Sequence, residues 1–274
     1  IRMSVFKREI PITEIKENKK IERFDTVLIE KSFDLVVNSH SLVNMVCLPK
    51  NLKELGVGFL FSLGIIESKE SLSEVDVNFK ESKIEVTLQD HVDFNIKEVR
   101  LNPISRVTST ESGLTTPWRN NLREVLDKKM PLQFSENDYV LNSSVVFSAI
   151  RKMQEETKLF KATGGAHGAA VFNIEGEMIS LMEDIGRHNA IDKVIGDLII
   201  RDIPFSKKFL TSTGRLTGDS LLKAIKAEFP VFASVSAAVE AGINLAFDYG
   251  ITLIGFVRNS RMNIYAHPNR INIE

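Results

Sequence analysis

From residue 143 onward the sequence changes period repeatedly, and this alternation limits the fold more than any other feature. Val146, Ile150 and Met153 recur at helical spacing and predict a helix over 143–157. Two β-rich runs follow at 169–173 and 177–182, with Glu175 and Gly176 as the turn. The face formed by Ile191, Val194, Ile195 and Leu198 predicts a second helix over 187–200. Next come a strand at 208–211, a helix at 217–228 stopped by Pro230, and a strand at 231–235. A helix at 237–248 ends before Gly250, and strands at 251–257 and 262–266 flank an Asn259-Ser260 turn. The order α-β-β-α-β-α-β-α-β-β predicts an α/β fold, a mixed sheet with helices on its faces.

The first half has another rhythm. Short β-rich runs at 26–30, 33–38 and 42–48 precede a helix that starts after Asn51, with Asn51 as N-cap and Glu54 at the third helical position. Leu55, Phe59, Leu60 and Leu63 carry its spacing, and Gly64 is suited to end it. Strands at 74–79 and 83–89 join through a hairpin turn at 80–82. The stretch 103–131 is rich in hydroxyls, among them Ser105, Thr108, Ser109, Thr110, Ser112, Thr115 and Thr116, and reads as a loop followed by a short helix at 119–128. A boundary near 133–138 divides the chain into a smaller β-rich N-terminal lobe (1–135) and an α/β domain (136–274), α+β overall.

Composition excludes several classes. An apolar share of 43% and a charged share of 26% are ordinary for a globular chain. The single cysteine, Cys47, closes no disulfide within the chain and rules out an all-cysteine metal site. A net charge of −1 argues against a general nucleic-acid binder. The most apolar stretch, 55–66, is well short of the roughly 20 residues that span a bilayer. Without a signal core near the N-terminus, the cytoplasm is the expected location and no membrane partner is expected.

Four polar clusters fall near predicted strand ends, where ligands collect in such sheets. The first is Thr163-Gly164-Gly165-Ala166-His167, whose glycines let a backbone approach a ligand closely. The second runs from Glu183 and Asp184 through Gly186, Arg187, His188 and Asn189 to Asp192 and Lys193. Arg187 and His188 at a helix start suit an anion, and the two carboxylates suit a ribose or a purine edge. The third, Ser212-Thr213-Gly214-Arg215, precedes another helix. The fourth, Arg258-Asn259-Ser260-Arg261, offers two forked guanidinium donors at a hairpin tip. His167, His188 and His267 lack metal-ligand spacing, so no metal site is expected. The residues point to a phosphorylated or nucleotide-like ligand without naming it.

Taken together, these runs resemble the formate dehydrogenase accessory sulfurtransferase (FdhD) family. The specific match is Gly186-Arg187-His188-Asn189-Ala190 with Asp192 and Lys193 in register. Supporting it are Glu183-Asp184, Thr163-Gly164-Gly165 with His167, Gly214-Arg215, the run 250–258 that includes Phe256, Val257 and Arg258, and the run 261–268. The resemblance implies a cytidine deaminase-like fold for the second domain and a homodimer. It also implies transfer of sulfur from a cysteine desulfurase to the molybdenum (or tungsten) bis-guanine-dinucleotide cofactor before insertion into formate dehydrogenase. Gly164, Gly165, His167, Glu183, Asp184, Arg187, His188, Asn189, Asp192, Lys193, Gly214, Arg215 and the hairpin residues Phe256, Val257, Arg258, Asn259, Ser260 and Arg261 are the implied cofactor-binding set.

The family carries its sulfur on a Cys-x-x-Cys pair in the middle loop, and the best register here places Ser112 and Thr115 at those positions. A hydroxyl holds no persulfide, so the catalytic residues are left open. Two alternatives to sulfur carriage stand beside it: a non-catalytic protein that binds and delivers the cofactor, and an unrelated nucleotide-converting enzyme on the same fold.

Overall fold

The computed structural model describes residues 5–95, 107–108, 122–124, 126 and 139–273. A long hairpin, β1 (Lys7–Lys16) and β2 (Lys19–Leu28), opens the chain and forms a two-stranded sheet of its own. Next come β3 (Lys31–Val37), β4 (His40–Cys47), α1 (Leu52–Ser62), β5 (Leu72–Asn78), β6 (Lys83–Leu88) and the short β7 (Val107–Thr108). These strands form a sheet in the order β5-β6-β3-β4-β7.

The second half contributes β8 (Leu141–Asn142), α2 (Ser143–Glu156), α3 (Lys158–Thr163), β9 (His167–Asn173) and β10 (Met178–Asp184). It continues with α4 (Arg187–Ile200), β11 (Lys208–Ser212), α5 (Gly218–Lys226), β12 (Val231–Ser234) and α6 (Glu240–Asp248). The last elements are β13 (Thr252–Arg258), β14 (Arg261–Ala266) and β15 (Ile271–Asn272), which pairs with β8. The main sheet has the order β10-β9-β11-β12-β13-β14. Its centre, β11-β12-β13, is parallel, and the pairs on either side are antiparallel. The mixed α/β sheet expected from the alternating sequence is therefore present.

Strand alternation gives this sheet two buried faces. Ala170, Phe172, Phe209, Val231, Ala233 and Ile254 pack with Val146, Ile150 and Met153 of α2. Ala169, Val171, Leu210, Phe232 and Leu253 point to the other side, where Ile191, Val194 and Ile195 of α4 cover them. That second core continues without interruption into the N-terminal sheet, through Leu55, Phe59 and Leu60 of α1 to Phe33, Leu35 and Met45.

The seam between the two halves is a glycine crossing of α1 and α4. A Cβ on Gly58 would lie 1.8 Å from the Asp192 carbonyl oxygen, and one on Gly196 would lie 1.9 Å from the Glu54 carbonyl oxygen. No residue but glycine allows two backbones this close.

Some local expectations change. Asn51 does precede the first turn of α1, but it adopts φ 54° and its side chain accepts no cap bond. Instead its amide donates to Glu54 Oε1 at 3.2 Å. The β1–β2 ribbon is far longer than the 26–30 run suggests, because it is solvent-exposed over most of its length and has no continuous apolar face to signal it. Helix α3 is too short to establish a period. Leu122 and Leu126 are buried within the expected 119–128 helix, whereas the boundary at 133–138 lies outside the described residues.

Candidate functional site

The parallel strands β11 and β12 end side by side at Ser212 and Ser234. The antiparallel neighbours bring the start of β9 and the end of β10 to the same edge, where His167 pairs with Asp184. The loops that leave this edge lead to the N-termini of α4, α5 and α6, the arrangement in which α/β sheets collect ligands. Ser234 Oγ braces two of them, 2.9 Å from the Ser212 carbonyl and 2.6 Å from the Gly214 carbonyl.

Beneath the edge lies a buried charged layer. Asp184 and Lys193 are fully buried and meet at 2.6 Å. Asp184 Oδ2 also accepts from the Leu48 amide, and its Oδ1 accepts from the Gly186 amide and Asn189 Nδ2. Asn189 Nδ2 donates to the Val46 carbonyl and Lys193 to the carbonyls of Leu48 and Glu183. One turn further along α4, Asp192 takes Lys223 of α5 at 2.5 Å and Ser62 Oγ of α1 at 2.7 Å. Glu183 accepts from the Leu159 and Phe160 amides, so it caps α3.

Several residues of the expected binding set have internal partners in this structure. Asp184, Asn189, Asp192 and Lys193 make internal bonds across the seam, where α4 packs against β4 and α1, and Glu183 bonds to α3 within the second half. The charges in this run that lie buried between the two halves of the chain are partnered, as buried charges require. His188 is also buried. Gly164 is exposed and ends α3 with φ 66°, and its amide donates to the Phe160 carbonyl. Gly165 is exposed beside it.

The groups left facing outward are fewer. His167 is half-buried, and its Nδ1 shares a 3.2 Å hydrogen bond with Thr213 Oγ1, which also accepts from the Gly168 amide. Burial, then the positive charge of Arg187, and more weakly that of Arg215, holds its pKa below the ordinary 6.5 against the pull of Asp184. The imidazole is therefore a neutral acceptor near two guanidinium groups at neutral pH. Gly214 packs on Arg187: a Cβ there would lie 2.8 Å from the arginine Cβ. His167, Arg187, Gly214 and Arg215 thus lie close together at this edge.

The hairpin forms a separate cluster. Arg258 and Arg261 pair directly across β13 and β14, both exposed, with Asn259 in the turn at φ 50°. Like charges in this register repel, and among the described residues no acidic side chain pairs with either. A cleft of about 400 Å³ beside them is lined by Phe256, Arg258, Asn259, Ser260 and Arg261. Val257 points inward and is buried. Phe256 sits at φ 52°, and its amide donates to the Ser236 carbonyl at 2.9 Å, which joins the hairpin to the loop after β12.

Cys47 lies in the seam. It is fully buried, its Sγ is 3.7 Å from the Lys31 carbonyl, and burial, reinforced by Asp184, pushes its pKa up to about 12. It is a thiol without access to solvent. Ser112 and Thr115 lie outside the described residues. Among the described residues no group of three or more His, Cys, Asp or Glu could hold a metal ion. Sequence reasoning misses Ser62, Lys223 and Ser234, which are single polar residues within apolar runs and become informative only when folding brings their partners to them.

Residues 28–272 match the family model of FdhD/NarQ. The chain is 33% identical to the sulfur carrier protein FdhD of Sulfolobus acidocaldarius, over 97% of this chain and 99% of that one. It is 30% identical to the sulfur carrier protein FdhD of Saccharolobus solfataricus, over 98% and 100% respectively. Its fold is similar to a crystal structure from Desulfotalea psychrophila, of a protein put forward as a formate dehydrogenase accessory protein. The TM-score is 0.77 at 26% identity, over 97% of this chain and 100% of that one.

Proposed function

We propose that this chain, which belongs to the FdhD/NarQ family, is a formate dehydrogenase accessory protein that binds the molybdenum (or tungsten) bis-guanine-dinucleotide cofactor as cargo and delivers it to the dehydrogenase. The relatives' names, sulfur carrier and formate dehydrogenase accessory protein, support the general role. The relatives' names lend no support to the alternative of an unrelated nucleotide-converting enzyme.

The observation that carries the cargo reading is the hairpin. Two arginines held opposite each other, with no acidic partner among the described residues, repel until an anion lies between them. A dinucleotide supplies that anion as its diphosphate, and the neutral His167 with Arg187 and Arg215 offers a second polar contact at the edge of the sheet.

Cys47 favours binding and delivery over sulfur carriage on a thiol of this chain. Sulfur exchange needs an accessible thiolate, and Cys47 is buried with its pKa raised to about 12. In this reading a cysteine desulfurase acts upstream, formate dehydrogenase is the receiver, and the working unit is a homodimer in the cytoplasm. Among the described residues no helix is long and apolar enough to cross a membrane.

Calorimetric titration with GDP tests the reading. The parent should bind, more weakly as salt rises, and the Arg258→Ala, Arg261→Ala double variant should lose about tenfold or more in affinity, as expected for lost charge-assisted bonds. Equal binding by the double variant at low salt would remove the hairpin from the site.

A further inference from the structure

The β1–β2 ribbon is anchored at its base. Phe6 and Leu28 pack there with Leu48, Leu159 and Ala166. Beyond the base the two strands pair with each other alone. Ten residues per strand, at about 3.4 Å each, make the ribbon roughly 34 Å long. A two-stranded hairpin without a covering layer is marginally stable in water. The ribbon also lies ahead of residue 28, where the family match begins.

Its apolar side chains stand in solvent. Phe24 is 67% exposed and Ile15 72%, on one face with Pro11, and Ile21 is 42% exposed on the other face beside Ile12. Glu17 and Asn18 make a two-residue turn, both with positive φ, 49° and 62°. At this turn Lys16 stands directly opposite Lys19, and Lys20 follows, all three exposed. Like charges in that register repel, and Glu17 is the one acid within 16–20. Among the described residues none of the three lysines has an acidic partner. The tip therefore suits a negatively charged surface, and the exposed Phe24 and Ile15 suit an apolar one.

The base of the ribbon abuts the edge of the main sheet. A Cβ on Gly165 would lie 3.6 Å from Leu28 Cδ1, and Gly165 is two residues before His167. A protein that takes cargo from that edge comes within reach of the ribbon. We propose that the ribbon is a docking arm for the receiver of the cargo, formate dehydrogenase, and seats in an apolar groove of that enzyme rimmed by acidic side chains. The groove covers Phe24 and Ile15, and the acids pair with Lys16, Lys19 and Lys20, which steer the encounter. This inference rests on the delivery reading above and adds the surface through which delivery takes place.

The test is biolayer interferometry of the full chain against cofactor-free formate dehydrogenase of the same organism, beside calorimetry with GDP. A Lys16→Gln, Lys19→Gln, Lys20→Gln variant relieves the repulsion across the tip, so it leaves the ribbon intact. It should bind the dehydrogenase about tenfold or more weakly, with a shallower dependence on salt. Phe24→Ser should lose about fivefold or more, and both variants should bind GDP as the parent does. Parental affinity for the dehydrogenase in both variants would overturn the ribbon proposal and leave the delivery reading standing. A parent that binds GDP but not the dehydrogenase would overturn ribbon and delivery together while sparing the cargo site. If sedimentation velocity shows that the variants lose a dimer the parent forms, the ribbon is a contact between copies and the proposal falls. Far-UV circular dichroism of each variant separates loss of binding from loss of fold.

Discussion

Replacing Gly58 by alanine sets two effects of opposite sign against each other. Within a helix this change removes a flexible residue and should stabilise by about 0.5–1 kcal/mol. In this fold the new Cβ would stand 1.8 Å from the Asp192 carbonyl oxygen, where contacts under 3.0 Å are essentially never seen. The crossing of α1 and α4 must therefore open by more than an ångström. Both atoms belong to helices, so no side chain can rotate away. Overfilling a core costs about 1–3 kcal/mol when side chains can adjust, and a backbone clash belongs at the top of that range or above it. The opening also strains the Ser62 and Lys223 bonds to Asp192. After the propensity gain is subtracted, a net loss of about 2–4 kcal/mol is expected. Urea denaturation followed by far-UV circular dichroism measures it, with Gly218→Ala as the control. There the added Cβ makes only ordinary van der Waals contacts, with Ala241 Cβ at 3.5 Å and Leu245 Cδ1 at 3.6 Å, so stability should hold or rise slightly. A Gly58→Ala midpoint equal to or above the parent's would refute the argument from close approach.

Three further outcomes are expected. Lys193→Met strands the buried Asp184 carboxylate and should cost about 3–5 kcal/mol, whereas Arg201→Met breaks a more exposed pair with Asp197 and should cost at most about 1 kcal/mol; equal losses in urea denaturation would contradict the buried layer. Cys47 should resist iodoacetamide in the native protein near neutral pH and react after unfolding, as burial and a pKa of about 12 require; labelling at the rate of a free thiol would place it at the surface. His167 has a folded pKa below its ordinary 6.5, so the folded protein binds fewer protons there than the unfolded chain, and its contribution to stability is lost as pH falls below about 6.5. His167→Gln should flatten the fall in urea midpoint between about pH 7 and pH 5, and an unchanged slope would mean that other groups set it.

The sequence was most legible where periodicity and burial agree. The 187–200 helix is found at Arg187–Ile200 because its apolar face packs on one side of the sheet. The strands around it are bounded by turns such as Gly176, at φ 84°, that the chain marks with glycine. The β1–β2 ribbon was poorly legible because it is solvent-exposed over most of its length.

At the site, residue types were easier to read than directions. Arg187, His167 and Arg215 lie near the same edge, and Asp184, Asp192 and Lys193 turn inward to a seam that no local pattern announces.

Native mass spectrometry addresses cargo binding at the hairpin most directly. The full chain would be purified from a host that makes the bis-guanine-dinucleotide cofactor, beside the Arg258→Ala, Arg261→Ala variant. The parent should carry a guanine dinucleotide that the folded double variant lacks. A parent free of nucleotide, or a double variant that retains as much, would contradict the account.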